Sequence, residues 1–181
     1  MAKGFFTQGV AVLLEAPVAI DAIEGVLPNV IDRQMRDDST WFSAKETLII
    51  PFRTDVNGYV AIDVIDKPWP DSMGDPKKDP DLFSAWSMGA FGPYTFPNSL
   101  QRATMQCVAA PGAKAMVPRH RAFARIRVSY VFGAGDNDPV MPADCVPAYE
   151  LEFITDLAME LLKLPQALCK FNPSGEMLHT L

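Results

Sequence analysis

Histidine and cysteine are scarce in this chain, and the few present do not cluster. There are two histidines, His120 and His179, and three cysteines, Cys107, Cys145 and Cys169, in 181 residues. No C-x-x-C occurs, so a zinc site would need ligands gathered from distant positions. Three widely spaced thiols read as reduced, buried cysteines and not as a disulfide framework. Also absent are an H-E-x-x-H helix, a G-x-S-x-G elbow and a Gly-rich phosphate loop. Positive charge is short as well: 16 Lys and Arg stand against 22 Asp and Glu, a formal charge of −6. General nucleic-acid binding needs cations that neutralise phosphates, so no nucleic-acid partner is expected. No apolar run approaches the roughly 20 residues of a membrane helix. Met1-Ala2-Lys3-Gly4 does not open a signal peptide. These absences lead to the expectation of a soluble, cytoplasmic protein with no metal, no cofactor and no membrane partner.

What is present is an ordinary globular composition, 49% apolar and 21% charged. The charge is uneven. Residues 1–90 hold 8 Lys and Arg against 14 Asp and Glu, whereas residues 91–181 hold 8 of each. The acidic first half is either a solvated face that keeps the chain soluble or a surface aimed at a cationic partner.

Hydropathy patterning predicts an α+β fold of two βαββ, ferredoxin-like halves, forming either one continuous antiparallel sheet or two sheets packed by helices. The halves are assigned to about residues 1–66 and 120–181, within one domain. In the first half, Phe5 to Leu14 is a strand, apolar at every position from Val10 to Leu14 and so covered on both faces. Ala19, Ala22, Ile23 and Val26 form a helical stripe after Pro17, ended by Pro28. Thr47–Arg53 and Tyr59–Ile65 make a hairpin around Asn57-Gly58, with Val60, Ile62 and Val64 on one face. Residues 67–119 are a Pro- and aromatic-rich connection. A short helix there begins at Asp79-Pro80, and a second, with Asn98 and Gln101 as a capping box, runs to about Ala109. In the second half, Phe123–Phe132 is a strand with Ile126, Val128, Tyr130 and Phe132 on one face and Arg125, Arg127 and Ser129 on the other. A helix with the stripe Leu151, Ile154, Ala158, Leu161 and Leu162 ends at Pro165. A hairpin around Asn172–Gly175 follows.

Two groups of residues are candidate sites. Arg119, His120, Arg125 and Arg127 are the densest cationic group. Arg125 and Arg127 share one strand face and can converge on one anion, such as a phosphate, nucleotide or carboxylate. Alternatively, they sit on a solvated sheet face beside acidic neighbours. His120 is the one histidine placed to act as a base, and also suits a structural role. The second group is Asp71, Asp75, Asp79 and Asp81 with Trp69 and Trp86. Carboxylates beside aromatic anchors suit a cationic protein cleft. The aromatics Trp69, Trp86, Phe83, Phe91, Tyr94 and Phe96 plug the sheet as core or, where exposed, anchor an interface. Asp136-Asn137-Asp138 and Asp71 with Asp75 lack the alternating ligands and terminal Glu of a calcium loop and read as turn residues.

Three stretches carry a resemblance: WPDSMGDPKKDPDLFSAWSMGAFGPYTFPNSLQRA (Trp69–Ala103), HRAFARIRVSYVFGAG (His120–Gly135) and ELEFITDLAMELLKLPQALCKFNPSGEML (Glu150–Leu178). Together they are similar to a bacterial domain-of-unknown-function family of the kind found near secretion and polymorphic-toxin loci. The resemblance implies an immunity role and relatives that continue past Leu181; it supplies no catalytic residues. The expected function is that of a non-enzymatic antitoxin that covers the active site of a cognate toxin. The alternative is a ligand-binding or enzymatic module holding an anionic small molecule at the Arg119–Arg127 cluster.

Overall fold

A strand that is apolar at every position needs cover on both faces, and the first strand receives it. In a computed structural model that describes residues 5–107, 110–132 and 139–181, Gln8–Leu14 (β1) is buried along its whole length. The remaining strands are Asp32–Met35 (β2), Glu46–Arg53 (β3), Gly58–Ile65 (β4), Ala122–Ser129 (β5), Ala167–Asn172 (β6) and Met177–His179 (β7). The helices are Ile20–Glu24 (α1), Pro80–Ser87 (α2), Ser99–Met105 (α3), Pro111–Met116 (α4) and Pro147–Leu161 (α5). All seven strands join one antiparallel sheet in the order β2-β3-β4-β5-β1-β6-β7.

The fold is thus α+β and antiparallel as expected, and of the two arrangements the single continuous sheet forms, without separable ferredoxin-like halves. Their first strands are exchanged: β5 lies against the β3–β4 hairpin, and β1 against the β6–β7 hairpin. Because each neighbour is antiparallel, β5 and β6 run parallel with β1 between them, and α5 makes that split crossover. The first half also carries an extra edge strand. β2 is exposed at all four positions, Asp-Arg-Gln-Met, and so shows no apolar alternation. It is held by pairing with β3 and by Arg33, which reaches Asp21 at 2.6 Å and Glu46 at 2.5 Å.

Both faces of the sheet are covered. One carries Val10, Val12, Leu14, Ile50, Val60, Ile62, Ile126 and Val128 beneath Ile20 and Ile23 of α1 and Ile154, Leu157, Ala158 and Leu161 of α5. The other carries Leu13, Ile65, Phe123 and Phe171 beneath Trp69, Phe91 and the apolar sides of α2, α3 and α4. Each fully buried Leu, Ile or Val contributes roughly 1.5–3 kcal/mol. Residues 67–107 and 110–119 are therefore not a simple linker. They form, with Trp41 and Phe42, the second covering layer.

The hairpin turn is longer than a two-residue Asn-Gly turn. A 3-10 turn at Thr54–Val56 precedes Asn57, whose φ of 59° an Asn tolerates. The Asn57 amide donates to the carbonyls of Tyr130 (2.8 Å) and Phe132 (2.9 Å), tying the turn to the end of β5. Among the described residues, no helix is long and apolar enough to cross a membrane.

Candidate functional site

The β4–β5 pairing places Asp63 opposite Arg125, and Ala61 opposite Arg127. On strands of period two, all three charged side chains then point to the face that α2–α4 cover. Burial makes their mutual neutralisation obligatory. Asp63 is 0% exposed, Arg125 1% and Arg127 3%. Arg125 grips the carboxylate with two bonds, Nε to Oδ1 at 2.8 Å and Nη2 to Oδ2 at 2.6 Å. Arg127 adds Nη2 to Oδ2 at 3.0 Å. The Ala44 N–H donates to the same oxygen at 3.3 Å. Burial by itself would raise the Asp63 carboxyl; the charges of Arg125 and Arg127, and these hydrogen bonds, hold it below the usual carboxylate range. Burial and the neighbouring Arg125 pull the Arg127 guanidinium below its ordinary range, against the attraction of Asp63.

Other guanidinium donors hold the covering layer, while the buried Nε of Arg127 has no hydrogen-bond partner among the described residues. Arg125 donates to the carbonyls of Trp41 (2.6 Å) and Phe42 (3.1 Å), and Arg127 to that of Ala90 (3.2 Å). Arg127 also stacks over the Phe6 ring, 4.1 Å from its centroid. The two arginines do converge on one anion, and it is the protein's own carboxylate. The expectation of a solvated sheet face is overturned: the Trp41–Ala44 loop and the segment around Ala90 lie over these side chains. Sequence reading passed over Asp63. Its signal was a lone charge on the strand Tyr59–Ile65, facing opposite to Val60, Ile62 and Val64.

The other two members of the cationic group turn elsewhere. Arg119 pairs at the surface with Glu15 at 2.8 Å. His120 is a joint. Its Nδ1–H donates to the carbonyl of Val117, and its Nε2 accepts the main-chain N–H of Trp69 at 3.0 Å. Both ring nitrogens are thereby used, which assigns the tautomer from its partners. The four residues Arg119, His120, Arg125 and Arg127 do not form a common pocket.

The aspartate–tryptophan group also divides. Trp69 (5% exposed) and Trp86 (7%) are core, packed edge-on or tilted around Phe91 with ring centroids 5.3 and 5.1 Å away. Neither indole reaches the surface to meet a partner, because the layer they belong to closes over the sheet. Asp71 is half-buried and caps α3: its carboxylate accepts the N–H groups of Leu100 (2.9 Å) and Gln101 (2.8 Å). The expected capping box of Asn98 does not form, since Asn98 adopts a left-handed φ of 64° and its side chain caps nothing. Helix α3 also ends at Met105, short of Ala109. Desolvation moves the Asp71 carboxyl up despite these two bonds. Asp75, Asp79 and Asp81 are exposed, but exposed Lys77 and Lys78 lie among them and offset two of the three charges.

The surface of the middle segment belongs instead to Tyr94 and Phe96, 62% and 61% exposed. Their turn is braced on all sides. Gly92, at a φ of 114°, packs against the main chain of Gly9, where a Cβ on Gly9 would approach the Gly92 Cα to 3.2 Å. The Thr95 hydroxyl donates to the Phe91 carbonyl at 2.8 Å, and the Asn98 N–H to the Asp71 carbonyl at 2.8 Å. Arg102 donates to the Pro97 carbonyl at 2.8 Å.

Of the three cysteines, Cys169 alone is fully buried, its thiol pushed up to about 12 by desolvation; Cys107 and Cys145 are half-buried, and all three are free. Among the described residues, no three His, Cys, Asp or Glu side chains gather as a metal site. The acidic turn Asp136-Asn137-Asp138 lies outside the described residues. Comparison with protein-family models, with curated proteins and with solved structures finds no match to this chain, so its function is argued from the geometry above.

Proposed function

We propose that the protein is a non-enzymatic binding module, an immunity-type inhibitor of a cationic protein toxin, and that it engages its partner through the Tyr94–Phe96 turn. One observation carries this reading. Two large aromatic side chains stand more than half exposed on a turn braced by three hydrogen bonds, in a segment whose tryptophans and Phe91 are buried. A pre-ordered aromatic anchor loses little entropy on binding, and such residues dominate hot spots. The cationic character of the partner rests on the net charge of −6, which speeds encounter with a positively charged surface.

This reading moves the contact from Trp69, Trp86 and Asp71 to Tyr94 and Phe96, with exposed Asp75, Asp79 and Asp81 as secondary contacts. It is tested by capturing the partner from a lysate of the native host and measuring both affinity and inhibition of the captured protein's activity. The Tyr94→Ala/Phe96→Ala double variant is expected to fold normally, since exposed substitutions change stability by about 0.5 kcal/mol or less. It is expected to lose binding by about a hundredfold, as for two hot-spot residues. The triple change of Asp75, Asp79 and Asp81 to Asn is expected to cost no more than about tenfold, mainly in association rate. Undiminished capture by the aromatic double variant, or a captured protein whose activity is not inhibited, refutes the proposal.

A further inference from the structure

On the sheet face opposite Asp63, Glu150 of α5 is a second carboxylate at 1% exposure. Its Oε1 accepts two neutral donors, the Tyr130 hydroxyl at 2.7 Å and the Cys145 thiol at 2.9 Å. Its Oε2 is buried and accepts no hydrogen bond among the described residues. No cation reaches either oxygen among the described residues. Arg53, which lines the same pocket, is engaged with Asp144 at 2.7 Å and with Asp55 at 3.9 Å. A buried carboxylate with neither a counter-charge nor a full set of donors is costly unless something else supplies them.

The place for that group is present. A pocket of about 280 Å³ opens beside Glu150, bounded by Phe52, Arg53, Tyr130, Asp144, Val146 and Tyr149. That is several times the ~30 Å³ share of a single water, so one bridging water would leave most of the space unused. Tyr130 and Glu150 are buried at its inner end, whereas Tyr149, at 66% exposure, stands at its mouth. Phe52, Val146 and Tyr149 give apolar and aromatic walls. The ionisable groups lining it, Glu150, Asp144 and Arg53, leave it net negative, and aromatic faces favour cations.

We propose that this pocket binds a small organic cation, an ammonium or guanidinium on an apolar stem. The charged head is drawn by the charges of Glu150 and Asp144, and the stem lies against Phe52, Val146 and Tyr149. Such a head is carried equally by a free amine or by a lysine or arginine side chain of another protein. The raised thiol of Cys145, pushed up to about 12 by burial and by its bond to Glu150, accords with a local field that disfavours further negative charge.

The test is thermal unfolding and titration calorimetry of the full chain with four probes. Phenethylammonium represents a free amine, N-acetyl-lysinamide and N-acetyl-argininamide represent side chains, and 3-phenylpropionate is the anionic control. At least one cationic probe is expected to raise Tm saturably, and phenylpropionate is expected not to. A response to phenethylammonium alone identifies a free amine, and a response to the amides alone a protein side chain. Glu150→Gln is expected to weaken binding about tenfold or more, through loss of a nearby opposite charge in a poorly solvated site. Because Glu150 is buried, Tyr149→Ala at the exposed mouth is the second variant. It is expected to weaken binding by about threefold through lost cation–π contact, with Tm of the free protein unchanged. The proposal is overturned by no response to any cation, by an equal response to phenylpropionate, or by full affinity in both variants.

Discussion

The sheet hides one carboxylate beneath each of its faces, and the two are treated in opposite ways. Asp63 meets two guanidinium groups and a main-chain N–H, and other donors of those guanidiniums run outward into the carbonyls of the covering layer. Glu150 meets only a phenol and a thiol, one of its oxygens is buried without a partner, and the residue lines an open pocket. The difference teaches where to look for function. A buried charge whose partners all belong to the chain fastens one layer to another. A buried charge left without a counter-ion beside empty space is a place for something from outside.

The sharpest way to break this comparison is to remove the internal anion. Asp63→Asn leaves Arg125 and Arg127 buried without their counter-charge, and is expected to cost about 3–5 kcal/mol in denaturant unfolding. Replacing Asp63, Arg125 and Arg127 together by Leu, Met and Met is expected to recover only part of that loss. The Trp41, Phe42 and Ala90 carbonyls would then lack donors, unlike in a self-contained ion triad. Full recovery would mean that the cluster does not fasten the covering layer.

Next in size is the joint within that layer. His120→Ala frees the Trp69 N–H and the Val117 carbonyl, and is expected to cost about 1–3 kcal/mol. Asp71→Ala removes the cap of α3, at about 1 kcal/mol. Both are measured by the shift in urea midpoint at constant slope, and neither should change binding of an amine in the Glu150 pocket.

The smallest effects are in pH, and they separate the two faces. The Asp63 carboxyl is lowered in the folded protein, so its contribution is present above the ordinary carboxylate range and is lost as pH falls through the lowered value. Tyr130 and Cys145 are raised, so their contribution is intact below the ordinary thiol range, near pH 8.5, and declines as pH rises toward 12. Cys145→Ser is accordingly expected to flatten the alkaline limb of a Tm–pH curve and leave the acid limb unchanged. An altered acid limb would couple the two faces and undo the separation.

Much of this architecture was legible in the chain itself. The apolar run Val10–Leu14 announced a doubly covered strand, and the alternation at Val60, Ile62 and Val64 set one face of β4. The alternation through Ile126 and Val128 put Arg125 and Arg127 on a common face. What hydropathy could not carry was pairing between distant strands. The exchange of β1 and β5 depends on register across more than a hundred residues, and neither strand's pattern names its neighbour. For the same reason the arginines read as solvated. Their partner Asp63 lies 62 residues away, and their cover is a proline-rich segment that resembles a surface loop. The edge strand β2 left no trace because none of its side chains is buried. Of the site residues, His120 suited either a base or a structural role, and its two hydrogen bonds are those of a structural one. Nothing in the sequence distinguished Glu150 from other helix charges; its burial does.

The contrast between the closed and the open carboxylate is tested most directly by amide and aromatic NMR shifts of the full chain, titrated with phenethylammonium and the two amide probes. Saturable shifts confined to Phe52, Tyr130, Cys145, Val146, Tyr149 and Glu150 are predicted, with Trp41–Ala44, Asp63, Ala90, Arg125 and Arg127 unmoved. Shifts centred on the Asp63 side, or none at Glu150 with any of the three, would contradict it.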